Sequence, residues 1–303
     1  MTFGWYVARF WYLGRWRTNN LLDFDTKSMI FNLSLRTSND KETHIRMPAR
    51  SNIEWRKWGK SDPLYGVASL TDRNKKGAHP WTDEEFYAYG AEVWAEYKPE
   101  WESYGVNRKS CVEIGCGAGR FTKQLSTYFD HVDAVDVSDD MIEYAKRNID
   151  SEKVFFHVTD GSILPVPDSS VTAGFSSDVF QHFSKPAFAE VYFRELYRVL
   201  QPGGSIMIHL PVFSWPGAMN RVFVALYRLW SYLDAAQAEA RRLFISAEIG
   251  RPFMFGIKFE TQWLYQFLRM VGFQDIQIRY FENSAGKQGT SFRPYVFARK
   301  PFA

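Results

Sequence analysis

Cysteine is scarce in this chain. Cys111 and Cys116 are the only two in 303 residues, and they sit a few positions apart on one strand and its following turn, a poor geometry for a disulfide. Two reduced thiols are therefore expected, which suits a cytoplasmic protein. No apolar run reaches the roughly 18–20 residues that a bilayer-spanning helix needs, and no secretory signal is read at the start. The formal net charge is only +3, so the one-signed field of a general polyanion binder is missing and no nucleic-acid partner is expected. The six histidines are scattered, with no pair at the close spacing of a zinc helix. No metal is expected from spacing, although Asp and Glu ligands converging from distant loops stay open. Internal repeats and low-complexity tracts are absent too. What remains, with 46% hydrophobic content, suffices for a full α/β core and a smaller accessory region.

The most informative stretch reads CVEIGCGAGR, Cys111 to Arg120. A short apolar strand runs into Gly115, Gly117 and Gly119 and then into a helix, whose first N–H groups have no partner within the helix. Glu113 precedes the glycines, and Asp136 ends the next strand in HVDAVDVS, so two carboxylates are expected beside one pocket. Arg120 stands where a dinucleotide-binding Gly-x-Gly-x-x-Gly places its third glycine, so a nicotinamide cofactor fits poorly. Downstream, Ser138 is a good N-cap for the helix starting DDMIEYAKRN, with Asp139 and Asp140 in its first turn. Strands follow in VFFHVTDG and VTAGFSSDVFQHF. The phrase Gln201-Pro-Gly-Gly-Ser205 then turns the chain into SIMIHLP.

In this order these motifs resemble the class I S-adenosylmethionine-dependent methyltransferases of bacterial small-molecule type, over about two-thirds of the chain. The resemblance implies an α/β, Rossmann-like sheet, mostly parallel with an antiparallel final strand, and S-adenosyl-L-methionine as cofactor. It places Glu113, Gly115, Cys116, Gly117 and Gly119 at the methionine part and Asp136, with Val137, at the ribose. Met141 falls where the family packs on adenine, Asp160-Gly161 where it receives the adenine amino group, and Ser177 at the mouth of the active site.

Four regions are expected. Residues 1–100 comprise an aromatic, basic arm and a cofactor-covering helix; 101–212 the first part of the core; 213–258 a helical lid; and 259–303 the last helix and strands. The arm opens MTFGWYVARFWYLGRWR, interleaving Trp and Tyr with Arg9, Arg15 and Arg17. It could meet an anionic membrane surface or cover the core or a partner; weak or no membrane binding is expected. Thr82 should cap a helix whose first turn carries Asp83, Glu84 and Glu85, and Tyr65, Trp81 and Phe86 are candidate cofactor-covering residues. In the lid, Met219, Val222, Phe223, Leu226, Leu229, Trp230 and Leu233 recur at helical spacing. The closing strands are DIQIRYF and PYVFARK.

Methyl transfer from a sulfonium depends mainly on positioning, which supplies about 7–11 kcal/mol in favourable cases. A base is needed only when the acceptor must lose a proton. His182, just past the fourth strand, is the candidate base; Asp178 and His209 are further candidates. The fourth strand lacks the Asn/Asp-Pro-Pro-aromatic pattern of nucleic-acid adenine methyltransferases. The expected activity is methylation of a small-molecule acceptor, at an oxygen of a sugar, natural product or metabolite. The alternatives are a lipid or prenyl-type acceptor at a membrane and a non-catalytic cofactor-binding scaffold. Oligomeric state is not legible.

Overall fold

The computed structural model describes residues 49–70, 72–183, 186–214, 257–282 and 292–302, with side chains from residue 53. The aromatic-basic opening, the Met219-to-Leu233 stripe of the lid and the loop 283–291 lie outside the described residues.

Seven strands form one sheet: β1 (Cys111–Ile114), β2 (Val132–Asp136), β3 (Val154–Val158), β4 (Val171–Ser176), β5 (Leu200–His209), β8 (Gln274–Glu282) and β9 (Phe292–Arg299), while β6 (Val212–Phe213) and β7 (Phe259–Glu260) make a separate pair. The order is β3-β2-β1-β4-β5-β9-β8. The first five strands run parallel, and β9 is antiparallel to both β5 and β8. Every residue of β1 and β4 is buried, as befits parallel strands covered on both faces. The chain winds from β1 outward to β2 and β3, then returns to β4 beside β1. That reversal opens a crevice at the carboxyl ends of β1 and β4, where open α/β sheets bind ligands. One boundary differs from the sequence reading: β5 starts at Leu200, opposite Val171, and Ser205 faces Ala173. The Pro-Gly-Gly phrase is thus an irregularity within the strand, not a turn ahead of it.

One face of the sheet is covered by α3 (Asp83–Tyr104) and α4 (Thr122–Tyr128). Helix α3 begins in a capping box: the Thr82 hydroxyl accepts from the Glu85 N–H and the Glu85 carboxylate accepts from the Thr82 N–H. Phe86, Tyr89, Val93, Trp94, Tyr97, Trp101 and Tyr104 recur at helical spacing on its buried side. They meet Phe175, Tyr295 and Phe297 of the sheet, and each such aromatic adds about 1.5–3 kcal/mol on burial. The opposite face carries α6 (Pro186–Val199) and α7 (Thr261–Val271), whose Phe193, Leu196, Leu264 and Phe267 pack over Val112 and Ile206. Helix α5 (Asp139–Asn148) starts directly after β2, capped as expected by Ser138, whose hydroxyl accepts from the Met141 N–H at 3.3 Å. Over its start ride α1 (Ala49–Ser61) and the short α2 (Pro63–Val67). Arg56 Nε donates to the Val137 carbonyl at 3.3 Å.

Candidate functional site

A cavity of about 240 Å³ opens at the β1/β4 crevice, walled by the glycine loop, the ends of β2 and β4, and the segment Gly66–Leu70, which ends α2 and continues beyond it. Gly115 and Gly117 have φ of +72° and +53°, a region side-chain-bearing residues rarely adopt. A Cβ on Gly117 would lie 2.5 Å from Val67 Cγ2, and one on Gly115 would run into Val179. The loop is therefore clasped between the turn after β4 and the covering segment.

At one end of the cavity stands Asp136. Its Oδ2 accepts from the Gly117 N–H at 2.8 Å and its Oδ1 from the Ser138 N–H at 2.9 Å. Burial raises the pKa of this carboxyl, and those N–H groups pull it back in part. Each oxygen keeps a lone pair for a further donor. Val137, Met141 and Thr159 continue the wall. A carboxylate able to take two hydroxyls, next to an apolar slot and a loop without Cβ atoms, fits the ribose and adenine of S-adenosylmethionine. Ser177 also lines the cavity, its hydroxyl paired with the Tyr295 hydroxyl at 2.8 Å.

Several expected contacts lie elsewhere. Glu113 is buried beneath the loop, and its Oε2 accepts from the Thr122 hydroxyl at 2.6 Å. Burial pushes its carboxyl up to about 7, but it does not line the cavity. Strand alternation turns it away from the cavity wall that its neighbour Ile114 forms. Cys116 is buried among Ala134 and Ile142, and a Cβ on Gly119 would meet Ile149 and Ala145, so both serve packing against α5. Both cysteines are free thiols. Asp160 is exposed, its Oδ1 accepting from the Ser162 N–H at 2.9 Å; the preceding Thr159 lines the wall, while Gly161 is buried off it, its N–H donating to the Thr159 hydroxyl at 3.2 Å. Tyr65, Trp81 and Phe86 also miss the cavity. Phe86 is fully buried on α3, and Trp81 reaches the covering segment only from outside, through its Nε1–H to the Ala68 carbonyl at 2.9 Å. Trp55, Gly66–Leu70 and Tyr89 line the cavity instead.

The other end of the cavity is ionic. Asp178, held at φ +63°, receives Arg120 Nη2 at 2.8 Å on Oδ2 and Arg293 Nη1 at 3.2 Å on the same oxygen. Although burial pushes its carboxyl up, Arg293, His209 and Arg120 hold it far below the usual carboxylate range. It is thus locked as an anion. His209 lies behind it, off the cavity, with Nδ1 3.3 Å from the Asp178 N–H. His182 does line the cavity, edge-on to Trp55 at 5.2 Å, and its buried Nδ1 has no hydrogen-bond partner among the described residues. Burial lowers both imidazoles to about 4. Sequence reading missed Arg293 and gave Arg120 no role. The available signal was a cation placed inside a glycine motif, a position the fold buries.

Residues 112–208 match the family model described as a methyltransferase domain. This stretch is a class I S-adenosylmethionine-dependent methyltransferase domain. Among curated proteins, the chain is similar to the malonyl-[acyl-carrier protein] O-methyltransferase of Hahella chejuensis, 30% identical over 149 residues, or 47% of this chain and 49% of that protein. It is also similar to phosphoethanolamine N-methyltransferase 3 of Arabidopsis thaliana, 33% identical over 32% of this chain and 20% of that one. The chain thus spans about half the length of the first relative and a fifth of the second. Among solved structures, the [4+2]-cyclase SpnF aligns with a TM-score of 0.50 and 16% identity, covering 84% of this chain and 97% of that one. This last likeness concerns the fold alone.

Proposed function

We propose that the chain is an S-adenosylmethionine-dependent methyltransferase that methylates an oxygen of a small metabolite. The carrying observation is one continuous cavity with Asp136 and Met141 at one end and Ser177, Asp178 and His182 at the other. In this reading Asp136 accepts the ribose hydroxyls, Val137 and Met141 flank the adenine, and the Gly115–Gly117 backbone lies along the methionine chain. When bound, the cofactor supplies a sulfonium methyl, to which an acceptor lone pair bonds as the carbon–sulfur pair returns to sulfur. The protein's part is mainly placement. Asp178, locked between two arginines, does not exchange protons at neutral pH. Of the expected bases, Asp178 and His182 line the cavity; His182, as a neutral imidazole of low basicity, is better suited to accepting a hydrogen bond than to removing a proton. Oxygen is preferred because the relative sharing 149 residues is an O-methyltransferase; the N-methyltransferase matches a shorter stretch.

Calorimetry with S-adenosylhomocysteine tests the assignment. The wild-type chain should bind it, and Asp136→Ala should weaken binding at least tenfold, since hydrogen bonds to a charged group contribute about 1.5–3 kcal/mol each. Asp136→Asn, which keeps the shape, should fall between. Wild-type affinity in Asp136→Ala, with circular dichroism showing a folded chain, would refute the ribose role. Release of S-adenosylhomocysteine from S-adenosylmethionine in the presence of hydroxyl, carboxyl and amine acceptors then identifies the methylated atom.

A further inference from the structure

Two fixed cations meet one fixed anion at the acceptor end of the cavity. Arg120 comes from the glycine loop and Arg293 from the start of β9, and both line the cavity and pair with Asp178. The two histidines beside this carboxylate are neutral, as described above. The remaining carboxylate on the wall, Asp136, is engaged by the Gly117 and Ser138 N–H groups at the end of β2, four strand positions from β9. Among the described residues that line it, the acceptor end therefore keeps one positive charge in excess.

The hydrogen bonds tell the same story. Arg120 is 3% exposed, and its buried Nε has no partner among the described residues. Arg293 donates only through Nη1, to the two oxygens of Asp178 at 3.2 and 3.4 Å, and donates from neither Nε nor Nη2 among the described residues. For Arg120 the buried N–H without an acceptor costs about 1–3 kcal/mol, more because the group is charged, whereas the Arg293 side chain is 23% exposed and lines the cavity. The planar fork of arginine matches the two oxygens of a carboxylate. Asp178 itself sits in the left-handed region, where a non-glycine residue persists only if its surroundings hold it. That conformation sets its carboxylate between the two arginines.

We propose that Arg293, supported by Arg120, binds a carboxylate group of the methyl acceptor. This rests on the methyl-transfer reading above. The cofactor's own amino-acid carboxylate has the same chemistry and is the competing occupant. The place of Arg293 on β9, on the far side of β4 and β5 from the loop, favours the acceptor. A carboxylate is also ionised at neutral pH and makes no demand on a weakly basic His182.

The test uses the full chain saturated with S-adenosylhomocysteine and titrated calorimetrically with glutarate or with uncharged glutaramide. Glutarate should bind at least tenfold more tightly than glutaramide. Arg293→Gln should remove that difference while changing S-adenosylhomocysteine affinity less than twofold, and Arg293→Lys, which keeps the charge without the fork, should restore part of it. A tenfold or larger loss of S-adenosylhomocysteine affinity in Arg293→Gln would assign the arginine to the cofactor's carboxylate and overturn the proposal. Equal binding of glutarate and glutaramide to the wild-type chain, or binding of neither, would overturn it as well, and this comparison holds even where the variant does not fold. A wild-type chain that fails to bind S-adenosylhomocysteine would instead sink the methyl-transfer reading on which the proposal stands.

Discussion

Gly117 carries two constraints at once. Its φ of +53° strains any residue with a Cβ by about 1–2 kcal/mol, and the space a Cβ would occupy belongs to Val67. Gly117→Val should therefore push the covering segment off the loop and abolish S-adenosylhomocysteine binding, while circular dichroism still shows the α/β fold, because the sheet core does not include this loop. Pairing Gly117→Ala with Val67→Ala separates the two constraints. The double variant relieves the clash and keeps the strain, so partial recovery of binding over Gly117→Ala assigns the rest of the loss to the backbone. If the double variant binds no better than the single one, the contact with Val67 is not what makes glycine necessary.

Among the elements, the end of α2 and the loop after it form one wall of the cavity, and one carboxylate ties them down. Asp62 caps α2 by accepting from the Tyr65 N–H at 3.3 Å through Oδ1, and its Oδ2 accepts from the Lys75 N–H at 2.7 Å. Trp81 holds the same stretch from the α3 side through the Ala68 carbonyl. Asp62→Ala removes two backbone anchors, and loss of an N-cap alone costs about 0.5–2 kcal/mol. Hydrogen exchange should rise across residues 63–75 and stay unchanged in the strands, with cofactor affinity falling severalfold. Unaltered exchange in that segment would mean that Trp81 alone suffices to hold it.

For the whole molecule, buried titratable groups set how stability follows pH. His182 and His209 fall by burial from an ordinary value of 6.5 to about 4. Between these values the unfolded chain binds protons that the folded chain refuses, so their contribution is complete above about 6.5 and is lost as pH falls toward 4. Glu113 acts in the opposite sense. Raised by burial from 4.5 to about 7, it holds a proton in the folded chain that the unfolded chain releases, so stability declines as pH rises from about 4.5 to 7. Thermal melts across this range should show His182→Gln and His209→Gln together flattening the acid limb. Glu113→Gln, which can still bond the Thr122 hydroxyl, should raise Tm more at pH 8 than at pH 5. Parallel wild-type and variant profiles would show that these groups titrate normally in the folded chain.

Local chemistry made much of the fold legible in the sequence. The Thr82 capping box, the Ser138 cap, the glycine loop and the apolar strands depend on neighbours within a few positions, so spacing alone places them. The same holds for Asp136, Val137 and Met141, which follow directly from the end of β2. Contacts decided by partners far along the chain were not legible. The direction of the Glu113 side chain depends on α4, the packing role of Gly119 on α5, and the outward turn of Asp160 on the loop beyond β3. The ionic end of the cavity is the clearest case. Asp178 and Arg293 are 115 residues apart, and only the insertion of β9 antiparallel beside β5 carries the arginine to the carboxyl edge of the sheet. The sequence by itself determined which elements form and where the cofactor loop lies, because those are short-range matters of sterics and hydrogen bonding. The tertiary structure decided the charge facing the acceptor, because burial and long-range pairing settle which ionised groups are left without a partner.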